Sequence, residues 1–303
     1  QALVANHKAL ALAPKDARAH YNLGITLKSL GRLAACESSF MQAITLDPNF
    51  IEAHNNLSVI LQELGKLKEA EAVCKRVTEM NPEFVEAHYN LGVTLKKMGR
   101  LEEAEASYRR AIALEPEYAD AYSNLGVTLL QLGKLQEAEE SCKQAIALNP
   151  DLAEAYNNLG NALQKRGKLE EAVAIYTQAI ALNADHADAY SNLGVTLQDL
   201  GNLNEAEKSC KQAIAINPDL AEAYSNLGNT LQERGKLKEA EANYAQAIAL
   251  EPDHADAHYN LSFALLKRGR LKEGLDEYEW RWRLAQNRSG NRPFPQPLWD
   301  GQE

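Results

Sequence analysis

Apolar positions along this chain repeat every 34 residues, and the register holds without insertion or deletion from residue 17 to residue 274. Each period carries two apolar stripes. In residues 119–152 the first comprises Leu125, Gly126 and Leu129, and predicts a helix over about Ala121–Leu132. The second comprises Ala138, Cys142 and Ala145 and predicts another. Spacings of three and four residues put each set on one side of a helix. Gly133 separates the two helices. Gly31, Gly65, Gly99, Gly167, Gly201, Gly235 and Gly269 stand at the same point, as left-handed helix terminators do. Leu135 can then close over the helix end, and Glu137 places a negative charge in the first turn of the second helix. Pro48, Pro82, Pro116, Pro150, Pro218 and Pro252 break the chain before the next pair, with Ala184 the one departure. A strict period of this length predicts stacked units that bury their apolar faces only on neighbours. The expected fold is therefore an all-α solenoid of about 17 helices: eight pairs in residues 17–288 and one lone second helix in residues 1–16.

One asparagine per period occupies the same place in the motif A-x-A-[HY]-x-N-L-[GS]: Asn22, Asn56, Asn90, Asn124, Asn158, Asn192, Asn226 and Asn260. An amide offers a donor and an acceptor together, which suits a peptide main chain. Neighbouring helices lie ~8–10 Å apart, and three residues of extended peptide span ~10 Å. One asparagine could thus meet every third peptide unit. Tyr21, Tyr89, Ser123, Asn157, Ser191 and Tyr259 flank this ladder, and Val93, Val127, Asn161, Val195 and Asn229 follow one turn on. The amides are expected to face a groove rather than the helix–helix seams. The competing reading is that asparagine here only solvates the groove.

These positions resemble the tetratricopeptide repeat. Its pattern falls in one unit on His88, Leu91, Gly92, Leu95, Ala104, Tyr108, Ala111 and Pro116. The resemblance implies a right-handed superhelix whose concave side is lined by the first helix of each pair, and protein or peptide partners. The family's clamp for chaperone carboxylates needs a lysine beside the first asparagine, where this chain has Tyr, Asn or Ser. The units also alternate. Cys74, Cys142 and Cys210 take turns with Tyr108, Tyr176 and Tyr244, as duplication of a two-unit block would leave them.

Both ends depart from the pattern. Residues 1–13 fit a second helix without its partner, which predicts exposure of Leu3, Leu10 and Leu12. In the last unit Gly274 replaces an alanine and Arg281 takes the second small position, which is expected to end the array. All three tryptophans (Trp280, Trp282, Trp299) follow there, and residues 289–303 read as an extended Pro- and Trp-containing tail. Glu277-Tyr-Glu-Trp-Arg-Trp282 and Pro297-Leu-Trp-Asp-Gly301 resemble the junction at which a repeat array meets the glycosyltransferase domain in bacterial relatives of the O-linked N-acetylglucosamine transferases. The resemblance implies the substrate-recognition arm of such an enzyme, whose array uses an asparagine ladder on its substrates. The chain opens without a methionine, as a piece of a longer protein would.

A formal charge of −10 argues against nucleic acid and anionic membranes as partners. No apolar stretch approaches the ~20 residues of a membrane span. Four cysteines, three of them two units apart, read as reduced packing residues in a cytoplasmic setting. No nucleophile elbow, phosphate loop, zinc spacing or dinucleotide fingerprint occurs, so no catalytic, metal or cofactor site is expected. The acids Glu52, Glu86, Asp120, Glu154, Asp188, Glu222 and Asp256 fall in first turns, where they offset the helix dipole; a rim for basic peptides is the sharper reading. His20, His54, His88 and His258 share a position with Tyr122 and Tyr156 and read as packing residues, whereas His186 and His254, in turns, are expected in solvent. The alternative to a binding scaffold is a structural one that self-associates end to end.

Overall fold

The computed structural model describes residues 2–284, and the expected tail at 289–303 lies outside the described residues. Within them are 17 α-helices and no strand. A lone helix, α1 (Ala2–Leu12), precedes eight antiparallel pairs. They are α2 (Ala17–Ser29) with α3 (Leu33–Leu46), α4 (Ile51–Glu63) with α5 (Leu67–Met80), α6 (Val85–Lys97) with α7 (Leu101–Leu114), and α8 (Ala119–Gln131) with α9 (Leu135–Leu148). After them come α10 (Ala153–Lys165) with α11 (Leu169–Leu182), α12 (Ala187–Asp199) with α13 (Leu203–Ile216), α14 (Ala221–Glu233) with α15 (Leu237–Leu250), and α16 (Ala255–Lys267) with α17 (Leu271–Tyr278). We call the first helix of each pair A and the second B. α8 begins at Ala119, two residues before the expected Ala121, because Tyr118 already serves as its N-cap.

The turns follow one rule. All eight inter-helix glycines have φ between +68° and +78°, a region closed to most side chains. The residue after each glycine donates its N–H back to the helix it leaves: Arg32 to Leu27 at 2.9 Å, Lys134 to Leu129 at 2.9 Å, Arg270 to Leu265 at 3.0 Å. The glycine itself closes the inner bond, Gly31 to Lys28 at 3.0 Å. This is the Schellman arrangement, and it satisfies carbonyls that the end of helix A would otherwise leave bare. Helix B then begins in the same direction every time.

The chain clusters into two compact units, residues 1–162 and 163–303, with the boundary inside α10. In the first unit each helix packs on its sequence neighbour, and A helices also meet across repeats, α4 with α6 and α6 with α8. The same holds in the second for α12 with α14 and α14 with α16. Small residues make this close packing possible. A Cβ on Gly92 would lie 2.7 Å from the Tyr108 ring, and one on Gly126 only 2.4 Å from Cys142 Sγ. The four cysteines are buried and free. Burial pushes the Cys142 and Cys210 thiols up to about 12.

Two expectations at the ends need adjustment. On α1, Leu3 and Leu10 pack against the first core cluster, while among the described residues the large apolar side chains of Val4 and Leu12 are exposed. One face of a lone helix suffices to cover α2, so only the opposite face stays wet. At the other end α17 has 8 residues where the other B helices have 14, and it passes into a 3-10 turn, η1 (Glu279–Arg283). Arg281 stands where Ala111 and Ala145 are wholly buried. It lies instead over the Tyr278 and Trp282 rings, 4.6 Å and 4.5 Å from their centroids, and pairs with Glu279 at 2.7 Å. Burying a guanidinium against another repeat would cost more than this half-exposed stack returns.

Candidate functional site

The ladder asparagines sit midway along the A helices, one per repeat, and the structure places their amides differently from the sequence expectation. Each amide hydrogen bond that crosses repeats runs back to the preceding A helix. Asn56 Nδ2 donates to Tyr21 Oη at 3.0 Å, Asn90 Nδ2 to Asn55 Oδ1 at 2.8 Å, and Asn124 Nδ2 to Tyr89 Oη at 3.0 Å. Asn158 Nδ2 reaches Ser123 Oγ at 3.0 Å. In the second unit, Asn226 Nδ2 reaches Ser191 Oγ and Asn260 Nδ2 reaches Asn229 Oδ1, both at 3.0 Å. The amides therefore bridge the helix–helix seams as well as lining the A-helix face. Asn90, Asn158 and Asn226 are buried, Asn22 is exposed, and the remainder are half-buried. Asn192 on α12 accepts a bond from Thr196 at its carbonyl, and Asn161 lies half-buried on α10.

This geometry has a simple origin. A step of 35 residues is one repeat plus one position, so Asn56, Asn90, Asn124, Asn158 and Asn226 each meet the residue just before the ladder position in the repeat behind, whereas Asn260 reaches Asn229, 31 residues back. Tyr, Ser and Asn there all offer an oxygen, which explains why such different residues share the place.

A second row of residues links the A face to the core. Asn229 Oδ1 accepts from Tyr244 Oη at 2.8 Å and from Asn260, tying helix B of its own repeat to the next A helix. Tyr repeats carry Asn161 or Asn229 here and Cys repeats carry Val127 or Val195, with one exception: Tyr108 is paired with Val93. Its hydroxyl is buried and has no hydrogen-bond partner. Tyr89 lies beside it and packs at a tilt against Tyr118, their centroids 5.0 Å apart, and burial pushes the Tyr89 phenol up to about 12.

The histidines divide. His54, His88 and His258 Nε2 meet the carbonyls of Pro48, Pro82 and Pro252 at 3.0, 2.9 and 3.1 Å, in keeping with packing roles. Trp280 stacks on His258 with centroids 3.8 Å apart, and Arg283 covers the outer face of that indole. His186 and His254 contradict the expectation of solvent exposure. His186 is 9% exposed and the His254 side chain 8%. Both are N-caps of A helices, at the position of Phe50, Phe84, Tyr118, Leu152 and Leu220, and those apolar counterparts were the signal for burial. His254 Nδ1 accepts from the Ala257 N–H at 3.3 Å, and its Nε2 lies 3.6 Å from Glu222. That carboxylate holds the His254 pKa above its usual value.

The first-turn acids are exposed, as dipole-compensating groups are. A charged ladder that the sequence reading missed runs along the B helices. Glu37 pairs with Lys66 at 2.6 Å, Glu71 with Arg100 at 2.7 Å, Glu105 with Lys134 at 2.8 Å, Glu207 with Lys236 at 3.2 Å, and Glu241 with Arg270. Its signal was a joint loss: where Val173 replaces the acid, Asn202 replaces the base. Among the described residues no group of His, Cys, Asp and Glu is arranged to hold a metal ion, and no helix is long and apolar enough to cross a membrane.

Family models described as "Tetratricopeptide repeat" match residues 89–153 and 225–287, 185–253, 39–72 and 141–174, and 17–50. One described as "TPR repeat" matches 160–201. No curated protein matches the chain by sequence. Among solved structures, TTC0263, a thermophilic TPR protein in Thermus thermophilus, is 31% identical; the match covers 60% of this chain and 99% of that one, with a TM-score of 0.54. The APC/C hetero-tetramer Cut9-Hcn1 aligns over 87% of this chain at 18% identity and a TM-score of 0.72, and this chain spans 52% of that one. A tetratricopeptide repeat protein from Parabacteroides merdae ATCC 43184 aligns over 82% of this chain and 98% of its own, at 17% identity and a TM-score of 0.68. The last two likenesses are of fold alone.

Proposed function

Because this chain belongs to the tetratricopeptide-repeat family, we propose that it is a protein- and peptide-binding scaffold whose A-helix faces hold extended peptide through the asparagine ladder. The observation that carries the reading is the fixed orientation of one amide per repeat. Asn56, Asn90, Asn124, Asn158, Asn226 and Asn260 are each held by a bond to the preceding A helix, so little side-chain entropy is left to lose when a ligand binds. Asn56, Asn90, Asn124 and Asn158 form the ladder of the first unit; Asn192, Asn226, Asn260 and the second-row Asn229 form that of the second. Asn22 and Asn161 extend the first. Contacts to a main chain carry little sequence information, so binding is broad and modest, near micromolar. The finer reading, an arm that presents substrates to a sugar-transferase domain, is supported by the sequence of Glu277–Trp282 and Pro297–Gly301. Reading the gene beyond Glu303 tests it. Four free, buried cysteines fit a reducing cytoplasmic compartment.

The test is a fluorescence-anisotropy titration of labelled extended peptides against the chain and its Asn90→Ala, Asn124→Ala, Asn158→Ala triple variant. Each amide contributes about 0.5–1.5 kcal/mol, so the triple variant should bind at least about tenfold more weakly. Because the same amides bridge seams, its melting temperature should also fall, and binding is read well below that transition. Unchanged affinity in the folded triple variant would overturn the reading.

A further inference from the structure

Asn124 shows what a ladder amide has left to offer. Its nitrogen donates to Tyr89 Oη at 3.0 Å and to the Asp120 carbonyl at 3.1 Å. Its oxygen accepts from Lys96 Nζ at 2.8 Å, a lysine that reaches across from the end of α6. Both amide hydrogens are thus committed within the protein, and the group available to a partner is the oxygen. The partner that the chain itself supplies there is an ammonium. Burial pulls the Lys96 pKa down, and the Glu154 charge opposes that pull.

The other rungs of this unit share the bond to the preceding repeat. Asn56, Asn90 and Asn158 each commit an amide hydrogen to the preceding repeat. Four residues before each rung, and so on the same helix face, stands an exposed carboxylate: Glu52, Glu86, Asp120 and Glu154. An amide oxygen beside a carboxylate is an acceptor-only pair. It matches a lysine or arginine, which are donors only, better than an acidic side chain, which the carboxylate repels. At the position of Lys96 the neighbouring repeats carry Gln62 and Leu130, which bring no cation to the face. The formal charge of −10 draws cationic ligands in at long range.

We propose that the ladder face of residues 51–162 selects extended peptides bearing lysine or arginine, each basic side chain resting on a ladder oxygen and its neighbouring carboxylate. Lys96 already occupies one of these places from within the chain. The proposal rests on the peptide-binding reading above and adds the class of ligand to it.

Three labelled peptides of about twelve residues, enough to span four rungs at three residues each, test it. One alternates serine with lysine, one serine with glutamine, one serine with glutamate. Anisotropy titrations at about 50 and about 300 mM salt bracket the screening length. The lysine peptide should bind at least tenfold more tightly than the glutamine peptide at low salt, with the glutamate peptide weakest and the gap narrowing at high salt. In the variant Glu52→Gln, Glu86→Gln, Asp120→Asn the lysine-to-glutamine ratio should fall below threefold. Lys96→Gln, which installs the residue found at position 62, should open one more place and tighten the lysine peptide twofold or more. Equal affinities for the lysine and glutamine peptides would overturn the selectivity while leaving the peptide groove standing. Failure of all three to bind would overturn the groove itself.

Discussion

The hydroxyl of Tyr108 gives the sharpest stability prediction, because the same protein contains its control. Tyr108 and Tyr244 occupy one position in helix B, and both are 0% exposed. Tyr244 donates to Asn229 at 2.8 Å, whereas Tyr108 faces Val93 and has no partner. A buried polar group left unpaired costs about 1–3 kcal/mol, and a satisfied hydrogen bond contributes about 0.5–1.5 kcal/mol net. Tyr108→Phe should therefore raise stability by about 1 kcal/mol, since it removes the unpaired oxygen and little packing. Tyr244→Phe should lower it by about 1 kcal/mol. Val93→Asn should restore to Tyr108 the partner that its counterpart has. Its benefit should vanish in a Tyr108→Phe background, giving a coupling of about 1 kcal/mol in the double-mutant cycle. Guanidinium unfolding followed by circular dichroism measures these variants beside the parent chain. The curves need a nearest-neighbour fit, because a repeat array is not bound to unfold in one step. Losses of the same sign and size for Tyr108→Phe and Tyr244→Phe would show that the Tyr108 hydroxyl is not unpaired in solution.

Further outcomes follow from the packing and the charges. Gly126→Ala should cost about 1–3 kcal/mol through its clash with Cys142 Sγ, and Cys142→Ala in the same chain should recover part of it; thermal melts of both report this. Val173→Glu with Asn202→Lys should restore the missing rung of the B-helix charge ladder and add up to about 1 kcal/mol, less in high salt; each change alone should add nothing, as paired denaturant melts will show. Glu222 raises the His254 pKa from its usual 6.5, so the stabilisation is fully present below that value and is lost as pH rises through the folded-state pKa. His254→Leu, which installs the residue at position 220, should abolish that dependence in melts taken between about pH 5 and 8.

What the sequence exposes is whatever repeats with the helix period. The eight glycines and the alanine stripes lie in phase, and each has a local cause that a single repeat reveals; the cysteine–tyrosine alternation shows when two neighbouring repeats are compared. The ladder bonds were less legible because they join different repeats off the period, at a step of 35 residues in five and 31 in the Asn260 bond, so no single unit displays the pair. The B-helix charge ladder hides in the same way, joining an acid in one repeat to a base 29 residues later. His186 and His254 were misplaced because residue type outweighed register. Their turn position is that of Phe84 and Leu220, and the helix beneath it needs covering whichever residue stands there. The 3-10 ending after Tyr278 follows from Arg281, which the sequence did mark, although not the residue at which the helix would yield.

Partners are expected along the A helices, and mapping where a bound peptide touches reads this at residue level. A lysine-containing extended peptide carrying a photoreactive group at alternate positions is cross-linked to the chain, and the attachment sites are read by mass spectrometry. Attachment is expected on α4, α6 and α8, near Val93 and Val127 and beside the ladder amides, displaced by unlabelled peptide. Attachment confined to the B helices, around Lys75 or Lys143, would contradict it.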